Sequence, residues 1–309
     1  MRSSCAQQKG RYGKMDAVGL NVSLPEEKDF NLSDFALFLS VMKNKEAYES
    51  MLSIIMDDLD LKLKEVKVEE VVLNRVGKRA IRLDAWALDT EDRQYNTEMQ
   101  NDTVQDDVRK RARFYQGLLD TPILKSGKRT RYRLLPSSFI IFITQDDIFE
   151  QDLAKYTFTE QCEEIKGLHL EDGTTKIFLN MCSKNGRDDL VSLLQYMKES
   201  SLSNPEIIVK DSRIEKLAEV VEEVKQSEEW EAVKMSIYSM GIDRGKDLGR
   251  IEGKIEDILD LLEELGPIPE ELRTCILNQK KEVVLKQWLK MASRAESIEA
   301  FAEMIDLGI

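Results

Sequence analysis

The chain has 309 residues, of which 42% are hydrophobic and 33% charged, and its formal net charge at pH 7 is −13. This length can bury a full core in one large domain, or in one domain with an appendage. The single histidine, His169, excludes imidazole-rich metal catalysis, and no Walker loop, Gly-x-Gly-x-x-Gly fingerprint or Gly-x-Ser-x-Gly elbow is present. ATP-dependent phosphoryl transfer and serine hydrolysis are therefore not predicted.

Location follows from what the sequence lacks. No apolar run reaches membrane-spanning length, and the N-terminal segment has no signal-peptide stretch. The four cysteines are widely spaced without a Cys-x-x-Cys pair, which does not indicate a zinc site or a disulfide framework. These features predict a reduced, cytoplasmic protein without a membrane partner, and residues 1–28 are predicted to be a disordered leader.

Two helices are predicted before the first strand. Ser33 is placed as the N-cap of a helix that carries Phe35 and Met42, and Asn44 as the N-cap of the next helix. The segment Val68–Val76 is then expected to begin the strands.

A polar β-hairpin is predicted next. The segments Ala80–Leu88 and Gln94–Gln100 alternate partially, and the polar run between them fits a turn. A turn centred near Glu91 places Asp84 directly across from Glu98. Period-two alternation then puts Gln100 on the same face as both carboxylates.

Two facing carboxylates require an offsetting charge, and a hard divalent cation such as Mg²⁺ is the simplest one. Asp84 and Glu98 are therefore the predicted metal ligands and catalytic residues. Gln100 is predicted to orient the attacking water or to contact the scissile phosphate. Such a site predicts phosphodiester hydrolysis without a histidine base. The alternative is an exposed polar hairpin that carries these side chains on its outward face.

A basic helix follows the hairpin, since the interval from Arg109 to Arg133 holds nine arginines and lysines against one carboxylate, a local charge of +8. We expect Arg109, Arg111 and Arg113 to contact DNA phosphates. Glutamine carries no charge, so Arg109 and Arg111 are also the nearest candidates for a cation that assists the chemistry. The alternative is a solvated helix face followed by a basic loop.

The rest of the chain predicts the end of an α/β core and then helices. Strands are expected in the ranges Phe139–Thr144, Tyr156–Cys162 and Thr174–Leu179, before a helix over Asp188–Lys198. A charged helical stretch from Lys210 to Leu265 follows, with a glycine at every fourth position between residues 241 and 253. Those glycines indicate close backbone approach or a flexible, solvated connector, of which we favour the connector.

Three short helices after Pro267 predict a small C-terminal bundle, through which the chain could form a homo-oligomer. The predicted domains are the leader 1–28, a core 29–204, the helical connector 205–266 and the helical region 267–309.

An ordered series of segments extends from about residue 30 to at least residue 260. The segments are Ser33-Asp34-Phe35, Arg82 to Ala87, Tyr95 to Gln100, Arg111 to Gln116, Phe139 to Ile143, Tyr156 to Glu163, Asp172-Gly173 with Ile177 to Asn180, and Met240 to Gly253. Together they resemble the PD-(D/E)XK nuclease family transposases, which are related to the Rpn recombination-promoting nucleases.

The resemblance implies a restriction-endonuclease-like core, with a mixed sheet flanked by helices, and metal-dependent DNA cleavage associated with transposition or recombination. It implies Asp84 and Glu98 as metal ligands. Gln100 stands where the broader superfamily has lysine, which leaves the assisting cation unassigned. A catalytically weak or inactive DNA-binding or regulatory protein of a mobile element is therefore the alternative. For Asp34 we expect an interaction with the helix dipole rather than a place in the site.

Overall fold

The computed structural model describes residues 30–72, 81–101, 103, 107–123 and 131–307, apart from the side chain at position 244. Three predicted features lie outside these residues. They are the leader 1–28, the end of the predicted first strand, and the loop cations Lys125, Lys128 and Arg129. The chain divides into two compact units, with the boundary between Trp230 and Glu231. Within the described ranges, no helix is both long enough and apolar enough to cross a membrane.

The first unit is mixed α/β, with a six-stranded mixed sheet flanked by helices. Its elements in chain order are α1 (Phe35–Met42), α2 (Lys45–Met56), β1 (Leu63–Val72), β2 (Ile81–Asp89), β3 (Gln94–Gln100), α3 (Val108–Asp120), a 3₁₀ turn (Tyr132–Leu134), β4 (Ser138–Thr144), β5 (Lys155–Phe158), β6 (Thr174–Asn180), α4 (Asp188–Lys198) and α5 (Ser212–Lys225). The strand order is β1-β2-β3-β4-β6-β5. β2 pairs antiparallel with both β1 and β3. β4 pairs parallel with both β3 and β6, and β5 pairs antiparallel with β6.

The site depends on how α3 connects β3 to β4. These two strands are parallel, so the chain must cross over between them, and α3 is part of that crossover. Val108, Ala112 and Leu119 of α3 are buried in one apolar cluster with Ile140 and Phe142 of β4. This packing holds α3 against the sheet beside the end of β3.

Helix α2 packs on the other face of the sheet. The Tyr48 hydroxyl is fully buried and donates a hydrogen bond to the Ala85 carbonyl at 3.0 Å. It also forms a hydrogen bond of 2.9 Å with the Thr97 hydroxyl, which can donate to the Tyr48 oxygen. Because side chains alternate along β3, Thr97 faces α2 while its neighbour Glu98 faces α3. Tyr48 thus joins α2 to both strands of the hairpin, directly behind the predicted site.

Replacing Tyr48 by phenylalanine should lower the free energy of unfolding by about 1–3 kcal/mol, because the Ala85 carbonyl and the Thr97 hydroxyl each lose a buried hydrogen-bond partner. Urea denaturation followed by circular dichroism measures this change. Tyr132→Phe is the matched control. Tyr132 is 76% exposed, so loss of its hydroxyl should cost less than about 0.5 kcal/mol. Equal losses in the two variants would contradict this role for Tyr48.

Several predicted boundaries differ from the structure. Asp34, not Ser33, is the N-cap of α1, whereas the Asn44 side chain caps α2 as predicted by accepting from two backbone amides. β1 starts at Leu63, five residues before the predicted start. It is an edge strand with many exposed charged residues, so its sequence lacks the apolar alternation that marks a half-buried strand. β5 ends at Phe158 rather than at Cys162.

The division into units also differs from the predicted core boundary at residue 204. Helix α5 buries Ile214, Leu217 and Val221 and packs on α2, so the first unit extends to Trp230. The apolar positions of α5 lie among many charged residues, so the sequence favoured placing this segment in the connector.

The second unit is helical. Helix α6 (Glu228–Glu263) begins in the first unit, and the second unit contains the rest of it with α7 (Glu270–Leu277), α8 (Glu282–Ala292) and α9 (Ile298–Met304). These helices share an apolar cluster. A Cβ at each of the four spaced glycines of α6 would have no described atom within 4 Å, which favours a solvated stretch over close backbone approach. Homo-oligomerisation through these helices and the cytoplasmic location stay predictions.

Candidate active site

The β2–β3 hairpin brings the two predicted carboxylates together. Its ladder pairs Ala85 with Thr97, and the same register one step further sets Asp84 opposite Glu98. The Asp84 amide donates to Glu98 Oε1 at 3.1 Å, and the Met99 amide donates to Asp84 Oδ2 at 3.0 Å. Both carboxylates are buried, Glu98 completely. The side chains are therefore not part of an exposed polar hairpin.

Arg111 of α3 supplies the positive charge next to this pair. Its Nη2 donates to Glu98 Oε2 at 2.9 Å, its Nη1 donates to Gln100 Oε1 at 2.7 Å, and its Nε donates to the Tyr115 hydroxyl at 2.9 Å. The guanidinium also lies over the rings of Tyr115 and Phe142, at 5.0 and 5.6 Å from their centroids. Three bonds and two rings fix its position.

The start of α3 explains why Arg111 reaches the strands. Asp107 is the N-cap, and its carboxylate accepts hydrogen bonds from the backbone amides of Arg109 and Lys110. Arg111 and Tyr115 are four residues apart and share one side of the helix, so both extend toward the end of β3.

Burial dominates the electrostatics of the carboxylates. It raises the pKa of Glu98 to about 8, and repulsion by Asp84 adds to this shift, while the Arg111 charge opposes it. Burial likewise raises the pKa of Asp84 to about 6, against the Met99 hydrogen bond and Arg111. Asn96 donates its amide to Glu98 Oε1 at 3.1 Å, and its own Oδ1 is buried without a hydrogen-bond partner among the described residues.

An open cavity of about 850 Å³ gives access to the site. Asp84, Gln100 and Arg111 line it, together with Phe35 of α1 and Lys110 of α3. Glu98 is completely buried and does not line the cavity, and its Oε2 accepts the bond from Arg111. A cation that binds Glu98 must therefore share that carboxylate with Arg111 or displace the guanidinium.

The donor set suits a hard cation. Asp84, Glu98 and the Gln100 amide provide only oxygen ligands, and Mg²⁺ is commonly held by one or two carboxylates while water and phosphate oxygens complete its octahedron. In the part of the chain that the structure describes, no three histidine, cysteine or acidic side chains gather into a metal-binding group. The protein would therefore supply two charged ligands, and water or substrate would supply the rest.

The predicted DNA contacts do not form one group. Arg111 lines the carboxylate cavity, whereas Arg109 and Arg113 line a different groove on the other side of α3. Asp34 does not reach the carboxylates: its Oδ2 accepts from the Asn31 amide at 2.6 Å, and its side chain makes no bond to the start of α1.

Sequence reasoning missed Tyr115 and Asn96 as members of the site. Tyr115 carried a usable signal in its four-residue spacing from Arg111, and Asn96 carried one in its two-residue spacing from Glu98. Both spacings place side chains on a shared face.

Comparison of the chain with protein-family models, curated proteins and solved structures gave no match. The structure by itself defines a mixed α/β protein with a buried carboxylate pair at the β2–β3 hairpin.

The raised pKa values predict a pH-dependent stability. The folded pair holds protons that the unfolded chain has lost, so the free energy of unfolding should fall as the pH rises from about 4, the ordinary carboxyl pKa, to about 8, the value for Glu98. Below this window both states are protonated. Urea denaturation across this pH range measures the slope, and a stability that rises between pH 5 and 8 would contradict the assignment.

If the ionised pair holds Mg²⁺, the cation should reverse much of this loss. At a concentration of 100 times its Kd, a ligand stabilises the folded state by about 2.7 kcal/mol. The effect should be largest at pH 8 and small at pH 5, with NaCl of equal ionic strength as the control. An equal effect of Mg²⁺ at both pH values would indicate binding elsewhere.

Proposed function

We propose that the protein is a Mg²⁺-dependent DNA endonuclease with a restriction-endonuclease-like core, associated with transposition or recombination. The observation that supports this proposal most is the buried pair Asp84 and Glu98, with the Arg111 guanidinium beside it at the wall of an open cavity. Two carboxylates and a cation are costly to bury. The cost is understandable if the group binds a metal ion and a phosphate.

Each residue has a separate role in the proposed reaction. Asp84 and Glu98 would hold the metal, which when bound lowers the pKa of a water and offsets charge on the phosphate. The Gln100 amide accepts a bond from Arg111 and lines the cavity, where it can orient the attacking water.

Arg111 can provide the positive charge that a lysine at position 100 would provide. Its three bonds use three of the five N–H donors of a guanidinium, and two remain for an oxygen of the scissile phosphate. Arginine also keeps its charge throughout the working pH range. We therefore assign the cation that assists the chemistry to Arg111.

The direct test is a cleavage assay with the purified full-length chain on supercoiled plasmid. We expect relaxed or linear product with Mg²⁺, and no product when EDTA replaces it. Cleavage that survives chelation would exclude the proposed metal chemistry.

The burial of Glu98 favours one other candidate, a DNA-binding or regulatory protein of a mobile element without efficient catalysis. In the structure Arg111 covers the Glu98 carboxylate, which is completely buried. A protein of this kind would bind DNA in a salt-sensitive manner and would leave the plasmid intact with Mg²⁺. Metal-dependent cleavage above background rejects it.

A further inference from the structure

A second groove lies on the side of α3 away from the carboxylates. Its volume is about 350 Å³, and it is formed by α3, the strands β5 and β6 and the loop before β5. Its main lining residues are Arg109, Arg113, Phe149, Phe158 and Lys176.

The groove is positively charged. Arg109, Arg113 and Lys176 face it, against the single carboxylate of Glu160, which lies 4.0 Å from the Lys176 ammonium. The Arg113 side chain forms no ion pair or hydrogen bond with any other residue that the structure describes. The groove therefore complements an anion such as a phosphate group.

The floor of the groove is aromatic. The ring centroid of Phe158 lies 5.0 Å from that of Phe149 and 5.8 Å from that of Phe178. Phe178 is buried, whereas Phe158 is 43% exposed. The neighbouring rings hold Phe158 in place while part of its ring remains accessible from the groove.

We propose that this groove binds an unpaired nucleotide of a DNA substrate, with backbone phosphates on Arg109 and Arg113 and the base stacked on Phe158. Cations beside an exposed ring are what a single strand requires, whereas bases inside an undistorted duplex have both faces covered by their neighbours. This inference rests on the proposed function. Helix α3 would then contact DNA on both sides, through Arg111 at the carboxylates and through Arg109 and Arg113 at the groove.

The test is the binding of fluorescent DNA to the full-length chain, measured by anisotropy in EDTA so that no cleavage occurs. The probes are a single-stranded oligonucleotide and a blunt duplex that contains the same sequence. Phe158→Leu, which removes the ring but keeps an apolar side chain, should weaken single-strand binding about tenfold and leave duplex binding unchanged. Phe158→Trp should keep single-strand binding, and thermal melts verify that both variants fold.

A charge variant provides an independent measurement. Arg113→Ala should weaken binding of the single strand and reduce the slope of log K against log salt by about 0.7, the value for one phosphate contact on single-stranded DNA. Ile165→Ala is the control, because this side chain is 58% exposed and lies outside the groove. This variant should change neither the affinity for the single strand nor the affinity for the duplex.

The outcomes separate this inference from the endonuclease proposal. If Phe158→Leu binds the single strand as tightly as the wild type does, base stacking on Phe158 is excluded. Plasmid cleavage by the wild-type chain would then still support the endonuclease proposal. If Arg113→Ala loses affinity but Phe158→Leu does not, the proposal of an unpaired nucleotide is also excluded. Phosphate contacts without stacking need no unpaired base. Absence of any DNA binding or cleavage by the wild-type chain would overturn both.

Discussion

Asp84→Asn is expected to reduce Mg²⁺-dependent plasmid cleavage about 1,000-fold. The substitution removes a charged ligand of the proposed metal ion, and a metal ion supplies several kcal/mol of charge stabilisation in such reactions. A loss of about 4 kcal/mol corresponds to this factor, since each 1.36 kcal/mol changes a rate tenfold. The fold should survive, because the asparagine oxygen can still accept the hydrogen bond from the Met99 amide. Initial cleavage rates at saturating DNA measure the effect.

The hairpin offers a matched control for this variant. Asp92 is an exposed carboxylate in the turn of the same hairpin, and its φ of 60° is a conformation that asparagine also tolerates. Asp92→Asn should therefore leave cleavage unchanged. Comparable rates for Asp84→Asn and the wild type would remove Asp84 from the active site, whereas equal losses in the two variants would indicate a general effect of charge.

Arg111→Met is expected to cost about 3 kcal/mol of unfolding free energy at pH 9, since it leaves the buried Glu98 carboxylate without its cation. The loss should be about 1.4 kcal/mol smaller at pH 5, where Glu98 is protonated in the folded state, because its pKa of about 8 leaves one pH unit of ionisation up to pH 9. The same variant should lose Mg²⁺-dependent cleavage. Urea denaturation at the two pH values separates the electrostatic contribution from the packing of the side chain.

Two further variants make the Arg111 result specific. Arg111→Lys keeps the charge but lacks the planar fork whose three nitrogens bond Tyr115, Gln100 and Glu98, so it should recover part of the stability and little of the cleavage. Arg113→Met, on the same helix but in the other groove, should change stability by less than about 0.5 kcal/mol. A pH-independent loss in Arg111→Met would show that packing, not the ion pair, is responsible.

Much of the local structure could be predicted from the sequence because its signals are short in range. Alternation and a polar turn predicted the β2–β3 hairpin and its register, and the Asn44 side chain marked the start of α2 as the structure has it. The start of β1 was predicted wrongly, because an edge strand exposed to solvent needs no apolar alternation.

By itself, the sequence determined which residues can face one another across the hairpin, because pleating and register depend only on local spacing. Only the tertiary structure decided that Arg111 bonds to Glu98 and Gln100, and that Arg109 and Arg113 face another groove. Those positions follow from the packing of α3 on the sheet, between two parallel strands that the chain connects by a crossover. Three arginines in one basic run look equivalent in sequence, but a helix with one buried side directs them to opposite sides.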